Sequence, residues 1–189
     1  MSDLINIGSR RKLFVDDFLI DDLTNLRLHL HPPVRREVVF QVQEPLENSV
    51  TGCYNLTRDC NRILLYYRGF HPAGEPGADI AEGQIRQTAN LLTSNDGIVF
   101  NRPHLGLVGS EQDGSTDNNI IMRCVQAHNF CVFLDKNPEA PRDQRFKAVG
   151  GVGKNALHGF VSADGIHWSP VCDGPLDIAG AFDSVNVAF

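Results

Sequence analysis

Several side chains that can grip a hydroxylated or charged ligand stand inside or at the ends of strand-like runs. Asp16 and Asp17 interrupt the apolar stretch from Leu13-Phe14-Val15 to Phe18-Leu19-Ile20. Two adjacent carboxylates in such a run are costly unless they face water or a site. Asp117-Asn118-Asn119 joins one carboxylate to two amides, a set that can bind hydroxyls and that equally suits a turn. Arg68 follows Ile63-Leu64-Leu65-Tyr66-Tyr67, and Arg123 follows Ile120-Ile121-Met122, so both are candidates to bind hydroxyls or carboxylates. Trp168, Phe100, Tyr66 and Tyr67 could stack on a flat ligand face, but burial between sheets is the stronger reading. His158 and His167 read as structural. No HExxH, GxSxG or EF-hand phrase occurs, and Gly150-Gly151-Val152-Gly153-Lys154 lacks the spacing of a phosphate loop. Cys53, Cys60, Cys124, Cys131 and Cys172 form an odd set without CxxC spacing and read as buried thiols. Cys53/Cys60 and Cys124/Cys131 are each seven apart, close enough to be neighbours in a strand pair. No metal and no cofactor is expected.

The elements that must position these residues announce themselves by repetition. Ser94-Asn95-Asp96-Gly97-Ile98-Val99-Phe100-Asn101 is echoed by Ser162-Ala163-Asp164-Gly165-Ile166-His167-Trp168-Ser169, starting at 94 and 162, 68 residues apart. Asp-Gly between alternating apolar residues predicts a hairpin closed by a tight primed turn, with the following aromatic packed beneath it. A hairpin-plus-aromatic unit recurring at this interval points to a repeated β-sheet module, for which a β-propeller is the leading candidate.

Strand signals dominate the rest. Runs at 12–20, 26–31 and 38–42 read as strands, as do 53–57 and 62–68 on either side of a turn at Asp59-Cys60-Asn61. Residues 71–83 and 136–144 read as Pro-rich loops, 85–93 leads into the first Asp-Gly phrase, and 146–151 with 157–162 lead into the second. The runs 120–124 and 130–134 look like a pair. No stretch carries an apolar stripe at helical period, so the predicted class is all-β.

The bulk numbers fit one or two ordinary domains: 189 residues, 42% hydrophobic and a net charge of −6. The acidic balance argues against nucleic-acid and membrane-surface partners, and no apolar run reaches the length of a membrane span. Met1-Ser2-Asp3-Leu4-Ile5-Asn6 lacks a signal-peptide pattern, which predicts a cytoplasmic product, or a secreted or periplasmic one if residues precede it. The alternating run Asp183-Ser184-Val185-Asn186-Val187-Ala188-Phe189 carries no polar tail, which predicts a chain cut in mid-strand.

The order Phe133-Leu134-Asp135, a Pro-containing loop, Arg145 to Gly151, Leu157 to Ser162 and then Asp164-Gly165-Ile166-His167-Trp168 resembles the five-bladed β-propeller superfamily of glycoside hydrolases, families 32 and 43. Leu64-Leu65-Tyr66-Tyr67-Arg68-Gly69 resembles the aromatic strand of that fold's first blade, and Ser94 to Phe100 its outer turn. Bacterial glycosyl-hydrolase-like proteins that combine an opening LFVDD strand with such turns are closer still. The likeness covers most of residues 45–189. It implies an all-β chain forming a partial, about three-blade, piece of a five-bladed propeller with four-stranded antiparallel blades. Residues 1–189 would then be one incomplete domain, with an N-terminal strand region (1–43), blade-like segments (about 44–110 and 117–172) and the start of another from 177.

The resemblance also implies roles. Asp135 takes the place of the transition-state-stabilising Asp in the family's Arg-Asp-Pro motif, although here Leu134 and Lys136 flank it and the proline waits until Pro138. Asp183 stands where the general acid glutamate is expected, and Glu47 is the nearest carboxylate to the nucleophile's place. Carboxyl groups on two sides of a scissile bond are what glycoside hydrolysis requires. The implied function is carbohydrate hydrolysis by carboxylate acid/base chemistry, with Asp16, Asp17, Asp117, Arg68 and Arg123 binding substrate. The alternatives are a non-catalytic glycan-binding or scaffold propeller, or an inactive truncated piece. Exposed blade edges in an open ring predict self-association.

Overall fold

In the computed structural model, residues 5–10, 12–42, 52–70, 87–110 and 113–188 are described. The chain divides into two units, Met1–Arg36 and Glu37–Phe189.

The described residues up to 42, which belong to the first unit and the start of the second, correct the sequence reading. No described residue between 5 and 42 lies in a strand, although the pattern at 12–20, 26–31 and 38–42 predicts three. Alternation is necessary for a half-buried strand, but a strand also needs a ladder partner. Here Leu13 and Leu30 are 83% and 93% exposed, and the segment's backbone bonds among the described residues are the local pairs Arg10–Ile7 and Ile20–Asp17.

The second unit is all-β, built from antiparallel sheets. Strands β1 (Gly52–Asp59), β2 (Arg62–Phe70), β3 (Gln87–Ser94) and β4 (Ile120–Arg123) form one four-stranded sheet in that order. Strands β5 (Cys131–Leu134), β6 (Phe146–Gly150), β8 (His158–Ser162) and β9 (Ser169–Pro170) form the second. A short ribbon pairs β7 (Gly153–Lys154) with β10 (Ala181–Phe182). The aromatic and branched residues of β2 suit a pleated, buried surface, and β1 meets it through a tight turn in which Cys60 takes φ +54°. β4 and β5, expected as partners, belong to different sheets. A 3-10 turn at Val125–Ala127 and the left-handed Asn129 (φ +55°) redirect the chain between them. Among the described residues no helix is long and apolar enough to cross a membrane.

The twin phrases build one turn twice, once in each sheet. The strands rejoin at Thr93–Asn101 in the first copy and at Val161–Ser169 in the second, so both partners keep the 68-residue offset between 93 and 161. The expected two-residue primed turn does not form. The Ser94 hydroxyl instead accepts from the Gly97 amide (2.8 Å) while Asp96 accepts from Ile98 (2.8 Å) and Val99 (2.9 Å). Ser162 and Asp164 make the same bonds to Gly165 (2.9 Å), Ile166 (2.8 Å) and His167 (2.9 Å). These side-chain caps satisfy the backbone over residues 94–100 and 162–168, and only the glycine goes left-handed, at φ +78° and +79°.

The register makes the repeat extend through three strands. The pairs Leu56–Leu65, Ile63–Ser94 and Thr93–Asn101 match Val132–Ala148, Phe146–Ser162 and Val161–Ser169. Leu64, Tyr66, Ala89 and Leu91 of the first sheet share a core with Val132, Phe146, Ala148 and Phe160 of the second. By the same register Leu64 and Tyr66 correspond to Lys147 and Val149, and Val149 joins Cys131 and Leu157 on the opposite face of the second sheet. The sheets therefore stack front to back: the front of the first meets the back of the second. At roughly 1.5–3 kcal/mol for each large apolar side chain buried, this seam is the main cohesion of the unit.

Candidate functional site

Period-2 alternation on β2 sends Leu64, Tyr66 and Arg68 to the seam, and on β3 it sends Gln87, Ala89 and Leu91 there. The seam is thus apolar along its length and turns polar at one end, where Arg68 and Gln87 meet the turn that leads into β5. Gly150 lets that turn come close, because a Cβ there would lie 2.3 Å from the Gln126 carbonyl oxygen. The Gly151 amide then donates to the His128 carbonyl (2.8 Å) and fixes the turn against β6.

Five side chains gather at this end. Asn129, left-handed and buried, accepts on Oδ1 from the Cys53 thiol (2.7 Å) and from Arg68 Nη1 (3.3 Å). His128 Nδ1 lies 2.5 Å from Gln87 Oε1. With the proton assigned to Nδ1 as the donor, Nε2 is left as an acceptor, 3.4 Å from Arg68 Nη1. Arg68 Nε is buried with no partner among the described residues. Burial, reinforced by the Arg68 charge, pushes the His128 imidazole below its ordinary range, so the ring is neutral near pH 7. Burial also raises the Cys53 thiol against the opposing pull of Arg68, so Cys53 is a protonated hydrogen-bond donor. Cys131 is raised by burial and by Cys53, and accepts from Asn55 Nδ2 at 3.5 Å. A fixed cation, a neutral imidazole and two amides suit recognition of hydroxyls or a carboxylate.

Of the residues offered from sequence as site candidates, Arg68 alone lies in this cluster. β1 and β5 run side by side in the same direction, since Asn55 bonds to Val132 and Cys53 to Asn129. Arg68 pairs with Gly52 at the start of β1, while Asp135 follows the end of β5. Asp135 pairs with Arg145, which bonds Asp59 opposite Arg62, so the two levels lie about as far apart as Arg62 and Arg68 on β2, about 20 Å at ~3.3 Å per residue. Asp135 accepts from Lys147 Nζ and from the Asn137 amide (2.8 Å), and the Lys147 ammonium holds its carboxyl below the ordinary range. Asp183 is exposed just past β10. Asp16 accepts from the Phe18 amide (3.1 Å) and, with Asp17, belongs to the first unit. Glu47 lies outside the described residues.

Asp117 is exposed and accepts from His104, while Asn118 and Asn119 anchor the preceding loop to Val108 (2.8 Å) and Leu91 (2.9 Å) carbonyls. Arg123 donates to the Gly109 carbonyl (2.6 Å), a second tie on that loop. Tyr66 and Tyr67 are buried in the core, and Trp168 and Phe100 pack against it. The cysteines are free, with Cys131 buried and Cys60 and Cys172 exposed. The seven-residue spacings do not pair them: Cys53 meets Asn129 across the seam, and Cys60 sits in the β1–β2 turn.

The far end of the seam is tied by charge. Asp59, at the end of β1, accepts from Arg62 Nη2 (3.0 Å) and from both terminal nitrogens of Arg145 in the second sheet. Burial raises its carboxyl, but the guanidinium bonds from Arg145 and Arg62 outweigh this and hold it low. Arg62 also donates to the Asp164 carbonyl (3.0 Å), and the Tyr66 hydroxyl to the Gly165 carbonyl (2.8 Å).

Sequence reasoning missed Cys53, Gln87, His128 and Asn129. The usable signal was the phase of β2, which puts Arg68 on the same face as Leu64 and Tyr66 and so calls for polar company at the strand end. A scan against protein-family models gave no match, and a search of curated proteins found none similar to this chain.

Proposed function

We propose that this chain is part of a glycoside-hydrolase-like β-propeller and that its role is carbohydrate recognition at the Arg68–His128 end of the seam. The observation that carries the reading is this cluster: hydrogen-bonded donors and acceptors gathered at the polar end of an apolar seam, with the buried Arg68 Nε satisfied by no described residue. Front-to-back stacking of two like four-stranded sheets supports the propeller, since neighbouring blades of that fold are like sheets packed face to face. Binding is favoured over hydrolysis because Asp135, the transition-state stabiliser that the resemblance implies, is held by Lys147 and the Asn137 amide at the other end of the seam and does not join this cluster. A carbohydrate ligand is also what the acidic net charge allows, where nucleic acid is disfavoured.

The test is amide chemical-shift titration with neutral and acidic saccharides, beside a reducing-sugar assay. Expected are shifts centred on Arg68, His128 and Asn129, their loss in Arg68→Ala, and no sugar release. Shifts confined to the Asp135–Lys147 end, or none with any saccharide, overturn the reading. Sugar release that Asp183→Asn abolishes restores the hydrolase reading.

A further inference from the structure

The stacking rule identifies an interaction surface. Each residue on the back of the second sheet that meets the first has a counterpart on the back of the first sheet. Val132 corresponds to Leu56, Phe146 to Ile63, Ala148 to Leu65, Gly165 to Gly97 and Trp168 to Phe100. In the second sheet these positions are covered: Val132 is 2% exposed and Phe146 is fully buried. In the first sheet the same positions, together with Val39 and Phe40, line an apolar groove of about 500 Å³ in which Leu65 is buried but Leu56 is 62% and Tyr54 53% exposed. The face that forms a core in the second sheet is thus only partly covered in the first: Leu65, Tyr67 and Leu92 are buried against Phe40 and Phe100, while Leu56 and Tyr54 stay open.

At the opposite end of the stack, the front of the second sheet is covered by Leu176, Phe182 and Ala188. The same covering segment leaves Ile178, Val185 and Val187 between 43% and 68% exposed. The unit therefore carries an apolar surface at each end of its stacking direction, and the two differ.

We infer that the groove on the back of the first sheet is a docking surface for a second copy of this chain, seated through its 171–187 segment in a head-to-tail contact. Continuity with the interface already inside the unit selects this occupant. There the back of a sheet accepts the apolar face next to it in the stack, and beyond the second sheet that next face is residues 171–187. The surface is the sheet face and not the strand edges. Such a contact is heterologous, so it propagates to a closed ring or an open chain of copies. It rests on the stacking geometry and not on the carbohydrate reading, so either can fail alone.

Sedimentation velocity across a wide dilution range tests it. The wild-type chain is expected to show at least a doubling of mass on concentration. Leu56→Arg and Val187→Arg, each at an exposed position, should each return the mass of a single chain while the Trp168 fluorescence stays native. An equimolar mixture of the two variants keeps one intact groove and one intact 171–187 surface. It should form a dimer that grows no further. A wild-type chain that stays monomeric, association that survives Leu56→Arg, or a mixture of the two variants that stays monomeric would each overturn the inference.

Discussion

Replacing one glycine in each of the twin turns separates the turn from the seam. Gly97 and Gly165 sit at φ +78° and +79° in turns with matching hydrogen bonds, so alanine costs each the same backbone strain, about 1–2 kcal/mol. Their surroundings differ. A Cβ at Gly97 meets Ile63 Cδ1 at 3.2 Å, the far end of a side chain that can yield. A Cβ at Gly165 lies 2.6 Å from Tyr66 Oη, 3.0 Å from Leu64 Cδ1 and 3.3 Å from Phe146 Cε1, inside the seam between the sheets. Overpacking there adds about 1–3 kcal/mol. Displacing the Tyr66 hydroxyl from the Gly165 carbonyl (2.8 Å) forfeits a buried bond, worth about 1 kcal/mol. Gly165→Ala should therefore be about 2–4 kcal/mol worse than Gly97→Ala, the sum of those two penalties. Urea unfolding followed by the single tryptophan, Trp168, whose indole donates to the Gly165 carbonyl (3.2 Å), reads both variants. With slopes near ~2 kcal/mol per M, the midpoints should differ by about 1–2 M. Equal midpoints would refute the packing of the second turn against the first sheet.

Removing the serine caps should cost the two turns alike: Ser94→Ala and Ser162→Ala each lose amide bonds and should drop by about 1 kcal/mol in urea unfolding. Acid should act in two stages. His128 is held below its unfolded value by burial and by Arg68, so the unfolded chain binds its proton first and stability falls as pH drops below about 6.5. His128→Gln should abolish this first stage. Asp59 and Asp164 have depressed carboxyls, burial being outweighed by hydrogen bonds from Arg145 and Arg62 and from His167. Their contribution is complete above about pH 4 and is lost below it, and Asp59→Asn should flatten that second limb in urea midpoints measured across the acid range.

What could be read from sequence was local. The Leu64-to-Arg68 alternation, the turn at Cys60 and the twin Ser-x-Asp-Gly phrases gave β1, β2, β3, β6 and β8 close to where they lie, because side-chain period and turn residues act over a few positions. Asp-Gly misled about the turn itself, since the serine two residues before the aspartate offers a competing set of caps. Residues 12–31 alternate as well as any strand here and pair with nothing among the described residues, since alternation specifies a face and not a partner. The candidate site was invisible for a related reason. Cys53, Arg68, Gln87, His128 and Asn129 come together only when two sheets stack, and no spacing along the chain encodes that meeting.

The front-to-back meeting of the two sheets can be observed directly by isotope-edited NOE spectroscopy at the twin glycines. Gly165 Hα should show strong cross-peaks to the Leu64 methyls and the Tyr66 ring, whereas Gly97 Hα should see only the Ile63 methyl of its own sheet. Gly165 with no cross-peak to Leu64 or Tyr66, in a chain whose Gly97–Ile63 contact is intact, would contradict the stack and with it the site at its polar end.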